Sequence, residues 1–156
     1  MILDEWDTDV AEGKVPEGIA HPRRIAQYNL FTINGKAFPE TTFIKVKKGE
    51  RVLVRMANMG YQIHAMHLHG HFFDIVRKDG YLLPNPIRGD TLTVLPGERY
   101  DILFTADNPP GIWVFHDHVV PAATNDGTYP GGMLTGVIYE PGVAAKPNGN
   151  PEVFQP

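Results

Sequence analysis

The chain has 156 residues, 42% of them hydrophobic, no cysteine, and a formal charge of −4. That length predicts one domain with a sizeable core, and the acidic balance argues against nucleic acid as a partner. No apolar run approaches the roughly 18 residues of a membrane-spanning helix, the acidic start does not read as a signal peptide, and the missing cysteines exclude disulfides and thiolate ligands.

Residues 1–29 show few strand signals and are expected to form an irregular lead-in. From there the chain reads as all-β. Runs rich in Val, Ile, Phe, Tyr and Thr predict strands over 30–33, 43–47, 51–57, 63–69, 72–77, 91–95, 100–105, 112–116 and 133–139. Turn signals separate them, among them Asn34-Gly35, Lys48-Gly49, Asp79-Gly80, Pro96-Gly97 and Pro130-Gly131-Gly132. No long amphipathic helix and no internal repeat is legible. Short strands at this spacing predict a sandwich or barrel over 30–140. The segment 141–156, with Pro141, Pro147, Pro151 and Pro156, reads as an extended tail.

Six of the seven histidines fall in two short runs, His64-Ala65-Met66-His67-Leu68-His69-Gly70-His71 and Val114-Phe115-His116-Asp117-His118. Residues i and i+2 of a strand share a face. His67 and His69 therefore aim together, as do His116 and His118, while His64 and Asp117 have the opposite parity. Four imidazoles converging from two strands suit a late first-row metal, copper above all, with zinc as an alternative. The remaining histidine, His21, reads as a surface residue. His71 follows a glycine and is expected to orient a ligand rather than to be one. Met66 reads as core. Asp74, Asp79, Asp90 and Asp101 lie near turns or strand ends and read as solvated. No GxSxG, P-loop or HExxH motif occurs.

These residues carry a family resemblance. The segment 31–140 resembles the C-terminal cupredoxin domain of multicopper oxidases, of the small two-domain, laccase-like or nitrite-reductase-like group. The landmarks are His-x-x-His-x-His-Gly-His at 64–71, Pro96-Gly97-Glu98-Arg99-Tyr100-Asp101, Trp113-Val114-Phe115-His116-x-His118 and Pro130-Gly131-Gly132-Met133-Leu134-Thr135. Met1 to Trp6 resembles the segment leading out of a preceding domain. The resemblance implies a Greek-key β-sandwich, periplasmic or extracellular residence, and copper. It implies His67 as a type-2 ligand and His69, His116 and His118 as type-3 ligands, half of a trinuclear cluster that reduces dioxygen. The other half would come from a partner cupredoxin domain or a second copy in a homo-oligomer. It also implies His64 as a type-1 ligand with Met133 axial. The type-1 cysteine is replaced by Asp117, and the second type-1 histidine by Ala122. Without a thiolate, His64, Asp117 and Met133 form a vestigial pocket that cannot hold blue copper. The expected function is a copper-binding cupredoxin domain with weak or no oxidase activity of its own. A non-enzymatic copper-binding or assembly module is one alternative. A mononuclear copper enzyme of nitrite-reductase type is another.

Overall fold

The computed structural model describes residues 1–13 and 28–139; His21 and the proline-rich segment 141–156 lie outside the described residues. Among these residues the strands are β1 (Ile2–Trp6), β2 (Leu30–Ile33), β3 (Ile44–Val46), β4 (Arg51–Asn58), β5 (His64–Leu68), β6 (Phe73–Lys78), β7 (Tyr81–Gly89), β8 (Thr91–Val94), β9 (Arg99–Thr105), β10 (Ile112–Asp117) and β11 (Leu134–Tyr139). They form a six-stranded sheet in the order β2-β1-β4-β9-β6-β7 and a five-stranded sheet in the order β3-β11-β10-β5-β8. One helical turn spans Thr8–Ala11, and a 3-10 turn spans Val120–Ala123. Of the sandwich or barrel that the strand pattern predicts, the structure is a sandwich, the cupredoxin-like one that the resemblance implies.

The core lies between the sheets. Leu3, Met56, Phe73, Ile102 and Phe104 from the first meet Met66, Leu68, Val94, Phe115 and Val137 from the second. Alternation places each of them inward and its neighbours outward. Strand β11 is buried at every position, and Phe38 and Phe43, from the connection after β2, form a second small cluster with its Leu134 and with Val114 of β10.

Two strands depart from the sequence reading. The lead-in expected to be irregular over 1–29 contains β1, which pairs antiparallel with β2 and parallel with β4. Its inward positions are Leu3 and Glu5, and a carboxylate at a core position hides the period-two pattern. Strand β7 contains Pro84 and Pro86, which speak against a strand. It is the sheet's edge, where a residue without an N–H is tolerated.

Candidate metal centre

Strands β5 and β10 pair antiparallel, with His67 opposite His116, Leu68 opposite Phe115 and Met66 opposite Asp117. The pleat sends His64, Met66, Leu68, Phe115 and Asp117 into the sandwich and leaves His67 and His116 on the outer face of the sheet. The backbone continues this register just past both strand ends. The His69 N–H donates to the Val114 carbonyl (2.9 Å), and the His118 N–H to that of Ala65 (2.8 Å). Four imidazoles therefore gather on one face. Ring centroids lie 4.8 Å apart for His67 and His69, 5.1 Å for His69 and His116, 5.5 Å for His116 and His118, and 5.6 Å for His67 and His118.

Their hydrogen bonds fix which nitrogens are free. His116 Nδ1 lies 2.9 Å from the Asp117 carbonyl oxygen, which can only accept, so that nitrogen carries the proton. His116 Nε2 is then a bare lone pair, and it accepts from His69 Nε2 at 3.0 Å. Burial, together with the neighbouring imidazoles, pushes His116 down to about 4 and lowers His69. His69 and His116 thus present neutral rings, the form that ligates metal. Among the described residues, no three His, Asp or Glu side chains already gather around a single ion-sized centre.

His71 lies elsewhere. Gly70 adopts a left-handed φ of +68°, and a Cβ there would sit 2.3 Å from the Trp113 ring. Only glycine fits both constraints, and its turn swings His71 into the core. His71 Nδ1 donates to the His69 carbonyl (2.9 Å), and Nε2 accepts from the Tyr139 hydroxyl (2.6 Å). Both nitrogens are engaged, so His71 braces the backbone of His69 and has none free for a metal.

The inward face holds a second constellation. His64 Nδ1 donates to Asp117 Oδ2 at 2.6 Å and Nε2 to Glu5 Oε2 at 3.1 Å; all three side chains are fully buried. Burial alone would lower His64, but hydrogen bonds to Asp117 and then Glu5 outweigh it and push it up to about 9. The ring is an imidazolium between two carboxylates. Burial pushes Glu5 up, yet bonds from His64 and from the Gln62 and Tyr61 amides outweigh it and hold it below its ordinary value. Backbone amides complete the triad. Asp117 Oδ1 accepts from Ala65 and Val119, each at 2.9 Å, and Glu5 Oε1 from Gln62 at 2.6 Å and from Tyr61. Among the described residues no buried side-chain polar atom lacks a partner, which is the condition for a buried charged network to be tolerated. The two carboxylates grip opposite nitrogens of one ring, so the three residues do not converge on a common centre. Met133 is also fully buried, and its carbonyl accepts from the Asp117 N–H at 2.9 Å.

A family model described as multicopper oxidase matches residues 13–128. The chain belongs to the multicopper oxidase family. Among curated relatives it is 38% identical over 95 residues to multicopper oxidase MmcO of Mycobacterium tuberculosis, covering 60% of this chain and 18% of that protein. It is 34% identical over 134 residues to laccase-20 of Oryza sativa subsp. japonica, covering 77% of this chain and 22% of that one. Among solved structures, the blue copper oxidase from Nitrosomonas europaea superposes with a TM-score of 0.81 at 41% identity, over 90% of this chain and 42% of that one. Multicopper oxidase mgLAC gives 0.84 at 42% identity, over 94% and 44%. The chain spans less than half of either solved relative and about a fifth of the two curated ones.

The donor set of this multicopper oxidase domain fits copper on its outer face. His67 Nδ1 bonds the Asp90 carbonyl (3.1 Å) and the Thr91 hydroxyl (2.9 Å), which leaves Nε2 free, whereas the Nε2 lone pair of His116 is met by His69. The inner constellation does not fit blue copper, because no thiolate is present. Glu5 escapes a sequence reading, since no local motif marks it. The one available hint is an inward-facing histidine in a pocket without its thiolate, which needs a counter-charge.

Proposed function

We propose that this domain binds copper through His67, His69, His116 and His118, and that a second cupredoxin domain or a second copy closes the site. The observation that carries this reading is the outer face itself, where four imidazoles lie within 6 Å of their neighbours but, among the described residues, no three share a centre. In this reading the face is a half-site whose remaining donors come from across an interface. Bound copper would supply dioxygen reduction. The chain's own part is to hold the His67 and His116 rings with their protons on Nδ1, so that each carries its lone pair on Nε2, with His69 braced from behind by His71.

No blue copper belongs to this domain. A relative named as a blue copper oxidase extends well beyond the aligned part, which is 42% of its length. Blue colour needs a thiolate, so in our reading electron entry lies on sequence that this chain does not span, and oxidase activity belongs to the completed assembly.

The test is copper retention after gel filtration, read with sedimentation. Retention that needs a second copy or an added partner domain, and that is lost in His116→Ala, is the expected result. Tight binding by a lone monomer would refute the half-site. Retention of zinc in preference to copper would refute the metal.

A further inference from the structure

We infer that Asp90, acting through the Thr91 hydroxyl, is a positioning residue for His67. The inference rests on the copper reading above and adds to it a named device on the chain's own side. Strand register makes the contact: His67 on β5 lies directly opposite Thr91 on β8, so their side chains share a face. His67 Nδ1 is 3.1 Å from the Asp90 carbonyl oxygen. A carbonyl only accepts, so the proton sits on Nδ1. The same N–H faces Thr91 Oγ1 at 2.9 Å, and the Thr91 hydroxyl donates onward to Asp90 Oδ1 at 3.0 Å. The chain of bonds runs from imidazole through hydroxyl to carboxylate. Directly, Asp90 Oδ1 stays 3.8 Å from Nδ1, beyond hydrogen-bond range, so the hydroxyl is the link.

The consequence is orientation and tautomer. A ring held at Nδ1 by two oxygens presents Nε2 to the cluster face, and a carboxylate at the end of the relay makes that nitrogen a stronger donor. Asp90 stands at the turn between β7 and β8, half-exposed, in a place that on sequence grounds is merely solvated. The register turns that turn aspartate into a partner of a ligand.

The test uses the 156-residue chain with Thr91→Val, Thr91→Ser and Asp90→Asn. Thr91 is exposed on β8 and valine matches its shape, so the fold is preserved. In the metal-free chain, nitrogen-15 NMR should show His67 protonated at Nδ1, with that N–H hydrogen-bonded and slow to exchange. Thr91→Val should move this signal upfield and speed its exchange, and Thr91→Ser should restore it. Copper(II) affinity should fall roughly 10- to 100-fold in Thr91→Val and Asp90→Asn and recover in Thr91→Ser. A wild-type His67 protonated at Nε2, or a Thr91→Val chain with the native Nδ1–H signal and native affinity, overturns the inference. Failure of the copper reading looks different, because copper would then bind no more weakly in His116→Ala than in the wild type. The NMR result decides the relay in either case.

Discussion

Replacing Glu5 with Gln tests whether a buried imidazolium is held between two carboxylates. The substitution keeps shape and removes one charge from a fully buried site. The rise of His64 from 6.5 to about 9 corresponds to about 3 kcal/mol of preference for the charged ring. Asp117 is the larger contributor and Glu5 the smaller, so loss of Glu5 forfeits about 1 kcal/mol of that. The new amide also turns an N–H toward donors at His64 Nε2 or at the Tyr61 and Gln62 amides, which costs about 1–3 kcal/mol more. The sum, about 3 kcal/mol, agrees with the usual cost of breaking a buried pair. Urea unfolding at neutral pH should show this loss with an unchanged m-value. The pH dependence is the sharper reading. The folded state holds the His64 proton more tightly than the unfolded chain, so the triad's contribution is full below pH 6.5 and is lost as pH rises through about 9. Glu5 is held below its ordinary 4.5, so its own titration stays out of this window. The groups facing His64 are Glu5 from β1 and Asp117 from β10. The difference between wild type and Glu5→Gln should therefore shrink between about pH 6 and about pH 10. A difference that stays constant across that range, or one below about 1 kcal/mol at neutral pH, would refute the imidazolium.

Three further outcomes follow from the same geometry. Gly70→Ala combines a left-handed φ with a clash against Trp113 and should cost about 2–4 kcal/mol in urea unfolding; near-native stability would mean that His71 is not held by that turn. Tyr139→Phe removes the hydroxyl that bonds His71 Nε2 and the Asn108 N–H and should cost about 1–3 kcal/mol, yet copper retention should be unchanged because the bond from His71 Nδ1 to the His69 carbonyl is untouched. Asp117→Cys with Ala122→His should stay colourless when loaded with copper. Ala122 is buried in the core cluster, so an imidazole in its place would overpack the core rather than reach a metal. A blue absorption band would show that the vestigial pocket still opens to a second imidazole.

Much of the sandwich is legible in the sequence because its strands obey the period of two. The parity argument separates His67 and His69 from His64, and the structure places them on opposite sides of the sheet. Parity fails at His71, since Gly70 leaves the strand's φ/ψ region and resets the direction of the next side chain. It fails more deeply at β1. The burial pattern there is regular, but the second inward residue is Glu5, and hydropathy reads a carboxylate as solvent-facing. Its partners, His64 and the amides of Tyr61 and Gln62, lie more than fifty residues away, so no window of sequence contains the reason for its burial. Asp90 shows the converse. Its sequence context is a turn, and only the pairing of β5 with β8 brings it to His67.

A charged triad in a core is no cheaper than well-packed apolar side chains, so its presence in a domain without blue copper calls for a reason other than net stability. Register offers one. Strands β5 and β10 are buried on the inner face and bear the imidazoles of the outer cluster on the other. A slip of one residue would exchange those faces. An apolar core would oppose that slip only through the loss of buried area. The triad adds a directional penalty, because Asp117 must meet both His64 Nδ1 and the amides of Ala65 and Val119 at once. Ala65 lies two residues before His67 on β5, and Val119 follows His118 just past the end of β10. The same residue that stands where the family's cysteine is expected thus ties β5 to β10 at the register that sets His67 opposite His116. Glu5 extends the tie to the other sheet through β1. On this argument the inner polar cluster orders the outer one across the thickness of a single sheet, with no metal of its own.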